Sequence, residues 1–117
     1  MWSAIRDPKI LIREKAAEAV GQCLELFAKR GQTLQYYQNM WKQCLSGFKN
    51  SSIEYQHGSL LVVKQLLIHG NLFMGDHYDS ACDIALQLKA HRDPKMRAEV
   101  VELIPDLAKY NLSLIHI

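Results

Sequence analysis

The tetrapeptide Arg6-Asp7-Pro8-Lys9 recurs as Arg92-Asp93-Pro94-Lys95, 86 residues further along. Half of that spacing is 43, and a step of 43 from Arg6 lands on Lys49, which leads into the polar run Asn50, Ser51 and Ser52. The chemistry of the tetrapeptide marks a helix start. An aspartate side chain accepts backbone N–H bonds that a first helical turn leaves open, and proline suits the first helical position because its missing N–H would have been unpaired there. Three helix starts at a common spacing constrain the fold more than any other feature. A unit of about 40–47 residues has the length of a helical hairpin that must stack on its neighbours to bury an apolar face.

The stretches between the starts carry helical periodicity. Ile12, Ala16, Val20, Cys23 and Phe27 step by three or four residues and are closed by Lys29, Arg30 and Gly31, which predicts a helix over 8–30 with that stripe inward. Leu34, Tyr37, Trp41, Cys44 and Phe48 predict a second helix ending at the polar cluster 47–50, with Trp41 in the core. Ser51 or Ser52 caps a third, over 53–69. Its run Leu60, Leu61, Val62, Val63, Leu66 and Leu67 covers more than one face, so this is expected to be the most buried helix. Gly70, Asn71 and Gly75 precede a fourth helix at 76–91, with Tyr78, Cys82, Ala85, Leu86 and Leu88 inward. The fifth opens at Asp93 and contains Pro105, which has no N–H for the Val101 carbonyl, so a kink or early end is expected. Residues 1–6, with Trp2 and Ile5, have the character of a helix end. No alternating strand pattern or Asn-Gly hairpin interrupts the series. The expected fold is all-α, an α-solenoid of antiparallel helical hairpins, with residues 1–111 holding about two and a half repeats.

Composition narrows the function classes. With 117 residues, 49% hydrophobic and 22% charged, and only 3 Pro and 6 Gly, the chain matches one globular unit and not a linker or a disordered segment. Its 14 Lys and Arg against 12 Asp and Glu leave a formal charge of +2, too little to mark a nucleic-acid or anionic-membrane surface. Residues 1–50 hold 8 basic and 4 acidic side chains and residues 51–117 hold 6 and 8, a mild polarity that solvated helix faces explain. No run reaches the ~18 apolar residues of a membrane span, and the start MWSAIRDPK lacks a signal-peptide core, so a soluble intracellular chain is expected. Cys23, Cys44 and Cys82 are odd in number and far apart without a CxxC, and read as small buried residues in a reducing compartment.

The Asp-Pro starts followed by Ile12-Arg13 and Met96-Arg97 resemble HEAT repeats, whose second helix opens with Asp, Pro and an apolar-Arg pair. The middle copy departs from this, with Tyr55 and Gln56 in that place. Three ordered segments, DPKILIREKAAEAVGQCL, YQHGSLLVVKQLL and HRDPKMRAEVVELIPDLAKYN, look like the N-terminal HEAT region of the target of rapamycin (TOR) serine/threonine kinases, within the phosphatidylinositol-kinase-related family. The likeness covers roughly residues 3–111. It implies a scaffold segment that positions partner subunits and substrates in TOR complexes, far from the kinase domain, in a cytoplasmic chain that reaches endomembranes only peripherally through its parent complex. Its implied partners are proteins, namely neighbouring repeats, TOR-complex subunits and substrates, and not nucleic acid or the membrane interior. The alternative is a freestanding HEAT or armadillo adaptor of the transport-receptor or phosphatase-scaffold type.

No catalytic, cofactor-binding or metal residue is expected. His91-Arg92-Asp93 spells the start of a kinase catalytic loop, but the Asn required five residues after the Asp is Ala98, and no Gly-rich loop, strand lysine or DFG accompanies it. Asp93 reads as a helix cap. His57, His69, His77, His91 and His116 form no HxxxH or HExxH set. Asn50-Ser51-Ser52 and Asn111-Leu112-Ser113 match a glycosylation sequon by chance in a chain without a secretory signal. The last six residues, LSLIHI at 112–117, look like a translated sequencing adapter and not native sequence.

Overall fold

A computed structural model describes residues 2–30, 34–69 and 77–108, and every regular element among them is helical. The tail 112–117 lies outside the described residues. The chain divides into two compact units, Met1–Gly70 and Asn71–Ile117. The first contains α1 (Trp2–Ile5), α2 (Ile10–Arg30), α3 (Leu34–Lys49) and α4 (Ile53–His69), and the second α5 (Tyr78–Leu88) and α6 (Pro94–Ala108).

The three helix starts share one hydrogen-bond device. Asp7 Oδ1 accepts the N–H of Lys9, Asn50 Oδ1 that of Ser52 and Asp93 Oδ1 that of Lys95, each at 2.8 Å. These three acceptors stand 43 residues apart, although the helices themselves begin at Ile10, Ile53 and Pro94, steps of 43 and 41. A long donor one turn into each helix then folds back on a carbonyl six residues earlier: Arg13 Nη1 on Asp7 at 2.7 Å, Gln56 Nε2 on Asn50 at 2.6 Å and Arg97 Nη1 on His91 at 2.7 Å. The middle copy, which lacks the arginine, thus keeps the bond with a glutamine. At α4 the Ser52 hydroxyl also caps, accepting the Tyr55 N–H at 3.3 Å and donating to Glu54 at 3.1 Å.

In the first unit α4 is the central element, with α2 and α3 both packed along it and α1 set against α2. Leu60, Val62 and Leu66 are fully buried and Leu61, Val63 and Leu67 nearly so, at roughly 1.5–3 kcal/mol for each large apolar side chain removed from water. This bears out the expectation of α4 as the most buried helix and explains why its sequence shows no clean amphipathic stripe. From α3, Tyr37, Met40, Trp41 and Cys44 enter the core. The Tyr37 hydroxyl donates to the His69 carbonyl at 3.3 Å, occupying one of the acceptors a helix end leaves open.

Helix α2 departs from its expected form in two ways. It begins at Ile10 and not at Pro8, because the Asp7 and Pro8 carbonyls are taken by the Arg13 guanidinium, and its first bond runs from the Arg13 N–H to the Lys9 carbonyl at 3.2 Å. Its buried line is Arg13, Ala17, Val20 and Leu24, one residue round from the expected stripe; Ile12 is 38% exposed, and Ala16 and Cys23 are only half-buried. A stripe chosen from apolar residues alone cannot include Arg13, and so it centres on Ile12.

In the second unit α5 packs on α6. Tyr78, Ala81, Cys82 and Ala85 are buried on α5, and Met96, Val100, Leu103 and Leu107 on α6. Helix α5 is shorter than the expected 76–91, and Leu86 and Leu88, expected inward, are exposed and half-buried respectively. The buried face is the single side that carries Tyr78, Ala81 and Ala85, and Leu86 lies a further ~100° round the helix from Ala85. Pro105 does not end α6, which continues to Ala108. Val101 and Pro105 are both exposed, so the carbonyl that proline leaves unpaired is on the water side, where its cost is least.

Candidate functional site

The HRD triplet is a helix cap in the structure. Asp93 Oδ1 holds the Lys95 N–H, His91 Nδ1 accepts the Asp93 N–H at 2.9 Å, and Arg97 reaches back to the His91 carbonyl. The carboxylate that would serve a kinase as base is committed to the start of α6. Replacing it should act on stability alone: Asp93→Ala is expected to cost about 1 kcal/mol, the usual worth of an N-cap, measured by urea denaturation. Among the described residues no group of three or more His, Cys, Asp or Glu side chains is placed to hold a metal ion.

Among the described residues, the buried polar side chains Arg13, His57 and Ser59 gather at the junction of α2 with α4. Arg13 is only 3% exposed. A guanidinium cannot shed its charge in a protein, so burial is tolerable only where acceptors surround it. Here Nη1 donates to the carbonyls of Asp7 at 2.7 Å and Pro8 at 3.1 Å, while Nε donates to His57 Nδ1 at 3.1 Å. Because Nδ1 accepts, the ring carries its N–H on Nε2. Arg13 thus ties the turn before α2 to α4.

The residues after His57 continue the junction. A side chain at Gly58 would collide with the backbone carbonyl of Ile5, the last residue of α1. A side chain at Gly47 would collide with Ser59 Oγ and Tyr55, so α3 meets α4 through a missing side chain as well. Ser59 is fully buried and its hydroxyl has no hydrogen-bond partner among the described residues. His57-Gly58-Ser59-Leu60-Leu61, one of the segments by which the sequence resembles the TOR kinases, is therefore where three helices close on α4. Sequence reading found the segment and missed its partner, Arg13. The recurring long donor six residues after an acceptor carbonyl is the signal that could have found it.

The Arg13 donors at this junction are spent on the Asp7 and Pro8 carbonyls and on His57, which fastens the turn before α2 to α4. The surface offers apolar residues instead: Leu11, Leu26 and Ile68 in the first unit and Leu86 and Val101 in the second are exposed.

Comparison with known proteins accounts for the motif. The serine/threonine-protein kinase tor1 of Schizosaccharomyces pombe is 42% identical over 113 residues, 95% of this chain and 5% of that protein. The chain is homologous to one segment of the TOR serine/threonine kinases. TOR of Oryza sativa is 38% identical over 94% of the chain, and TOR2 of Saccharomyces cerevisiae 30% over 95%. The chain spans about 5% of the length of these TOR relatives. No family model and no solved structure matches it.

Proposed function

We propose that this chain is a protein-interaction scaffold segment of a TOR-type serine/threonine kinase: a stretch of HEAT-like α-solenoid from the N-terminal region of its parent, carrying out no chemistry itself and helping to position partner subunits and substrates in TOR signalling complexes. The observation that carries this reading is a set of three similar capped turns, at Asp7, Asn50 and His91, 43 and 41 residues apart in a chain homologous to TOR kinases. Hairpins repeated at that length touch mainly their neighbours and build extended surfaces suited to assembly. The expected partners are adjacent repeats of the same polypeptide and other proteins of the complex, and the expected location is the cytoplasm. No described helix is long and apolar enough to cross a membrane.

The test is deletion of the segment from the full-length parent, followed by affinity purification. Phosphorylation of a generic peptide should persist while co-purifying subunits are lost. Subunits retained together with peptide phosphorylation lost would place the segment in catalysis and overturn the reading. A parent reading frame whose helical array ends without a kinase domain would favour the freestanding adaptor.

A further inference from the structure

The turn from α5 to α6 concentrates the positive charge of the second unit. Lys89, Arg92, Lys95 and Arg97 are all exposed there, and none is paired with a carboxylate among the described residues. The acidic side chain of the turn, Asp93, is half-buried, and its Oδ1 is taken by the Lys95 N–H at 2.8 Å. The backbone that carries the cations is fastened at successive points. The Lys89 N–H donates to the Ala85 carbonyl at 3.0 Å, the His91 N–H to that of Leu88 at 2.9 Å and the Asp93 N–H to His91 Nδ1 at 2.9 Å, while Arg97 Nη1 ties the start of α6 to the His91 carbonyl at 2.7 Å. Charges on a fixed turn lose less freedom on binding than charges on a loose loop. The first unit shows that helix packing leaves the corner of such a turn in solvent. Its backward bond from Arg13 to Asp7 matches that from Arg97 to His91, which sets Arg92 at the place of Pro8 and Lys95 at that of Leu11. Pro8 and Leu11 are exposed although α4 packs along α2 and Arg13 is buried against it.

We propose that Lys89, Arg92 and Lys95 form a docking site for an acidic, extended segment of a partner protein. Six residues of fully extended chain span at most about 22 Å, so the three cations lie within reach of one short peptide. The other exposed residues of the turn, Ala90 and Pro94, offer no aromatic ring for a nucleic-acid base to stack on and no large apolar side chain to enter a bilayer. Register comes from the rest of the unit, where the exposed carboxylates of Asp79, Asp83 and Glu102 repel an acidic segment that strays along α5 or α6. The choice of a protein as partner rests on the scaffold reading. That reading is tested separately by co-purification, so failure of the docking site leaves its test standing.

The probe is a fluorescently labelled, glutamate-rich peptide about ten residues long, enough to pass all three cations, titrated with the native 117-residue chain and followed by anisotropy. Saturable binding is expected that weakens as NaCl is raised from about 0.05 M to about 0.5 M, with none for the same peptide carrying glutamine in place of glutamate. Lys89→Gln, Arg92→Gln and Lys95→Gln combined should weaken binding roughly tenfold or more, whereas Arg6→Gln, Lys9→Gln and Lys49→Gln, which remove the same charge from the turns of the first unit, should change it less than about twofold. All of these side chains are exposed, so both variants should melt with the original chain. Equal weakening by the two variants would mean that the peptide follows net charge alone, and would overturn the proposal. Failure of the chain to bind the peptide saturably would overturn it as well. So would binding of phosphatidylserine vesicles in place of the peptide, if lost in the Lys89, Arg92 and Lys95 variant, which would assign the cations to a membrane. A dimer in light scattering that the same variant abolishes would assign them to the carboxylates of a second copy and reject the partner segment.

Discussion

Arg13→Ala should be among the most destabilising substitutions in the chain. Removing the guanidinium leaves the carbonyls of Asp7 and Pro8 and the Nδ1 of His57 without their donor. Loss of the buried bond to His57 costs about 1–3 kcal/mol, the half-buried Asp7 carbonyl and that of exposed Pro8 can turn to water, and the buried arginine stem loses its packing, so a net loss of about 2–4 kcal/mol is expected in urea denaturation followed by tryptophan fluorescence. Arg13→Lys should not restore stability, because an ammonium is a point charge and cannot serve acceptors on two sides as the planar fork does. Arg97→Ala is the internal control. Arg97 makes the same backward bond at the start of α6 but is exposed, and its loss should cost no more than about 1 kcal/mol. Equal effects at the two positions would mean that burial of Arg13 against His57 contributes nothing.

The second large effect is expected at Gly58. An added methyl group there would meet the carbonyl and the Cγ2 of Ile5, and a backbone carbonyl cannot swing aside as a side chain can. Either α1 lifts from α4 or α4 shifts, and overpacking of this kind costs about 1–3 kcal/mol. Gly58→Ala is thus expected to lower stability even though alanine is the better helix former by about 0.5–1 kcal/mol. Gly21→Ala makes the contrast. The obstacle there is the far end of the Gln65 side chain, which can rotate away, so the propensity gain should offset most of the strain and leave stability nearly unchanged. Calorimetric melting of the two variants side by side checks both outcomes, and a Gly58→Ala protein as stable as the original would show that α1 does not approach α4 as described.

The positions of the helices were legible in the sequence because their boundaries are local chemistry. Ser52 caps α4 and Asp93 caps α6 where short polar side chains stand before apolar periodicity, and α3 and α4 occupy the ranges their stripes and turn residues predicted. The candidate junction was half legible. His57-Gly58-Ser59 stood out by resemblance, but nothing in the neighbourhood of residue 57 names a partner 44 residues away.

What the sequence by itself determined is the recurrence of capped helix starts and the all-helical class of the described residues, since both follow from hydrogen-bonding residues within a turn of one another and from the 3.6-residue period of apolar side chains. What only the tertiary structure decided is which side of α2 faces inward. Periodicity ranks residues by polarity and so placed Ile12 inside and left Arg13 out of the inward stripe. The fold leaves Ile12 exposed and buries Arg13, because a buried cation is acceptable where two turn carbonyls and an imidazole nitrogen from another helix meet it, and only packing brings those three acceptors to one point.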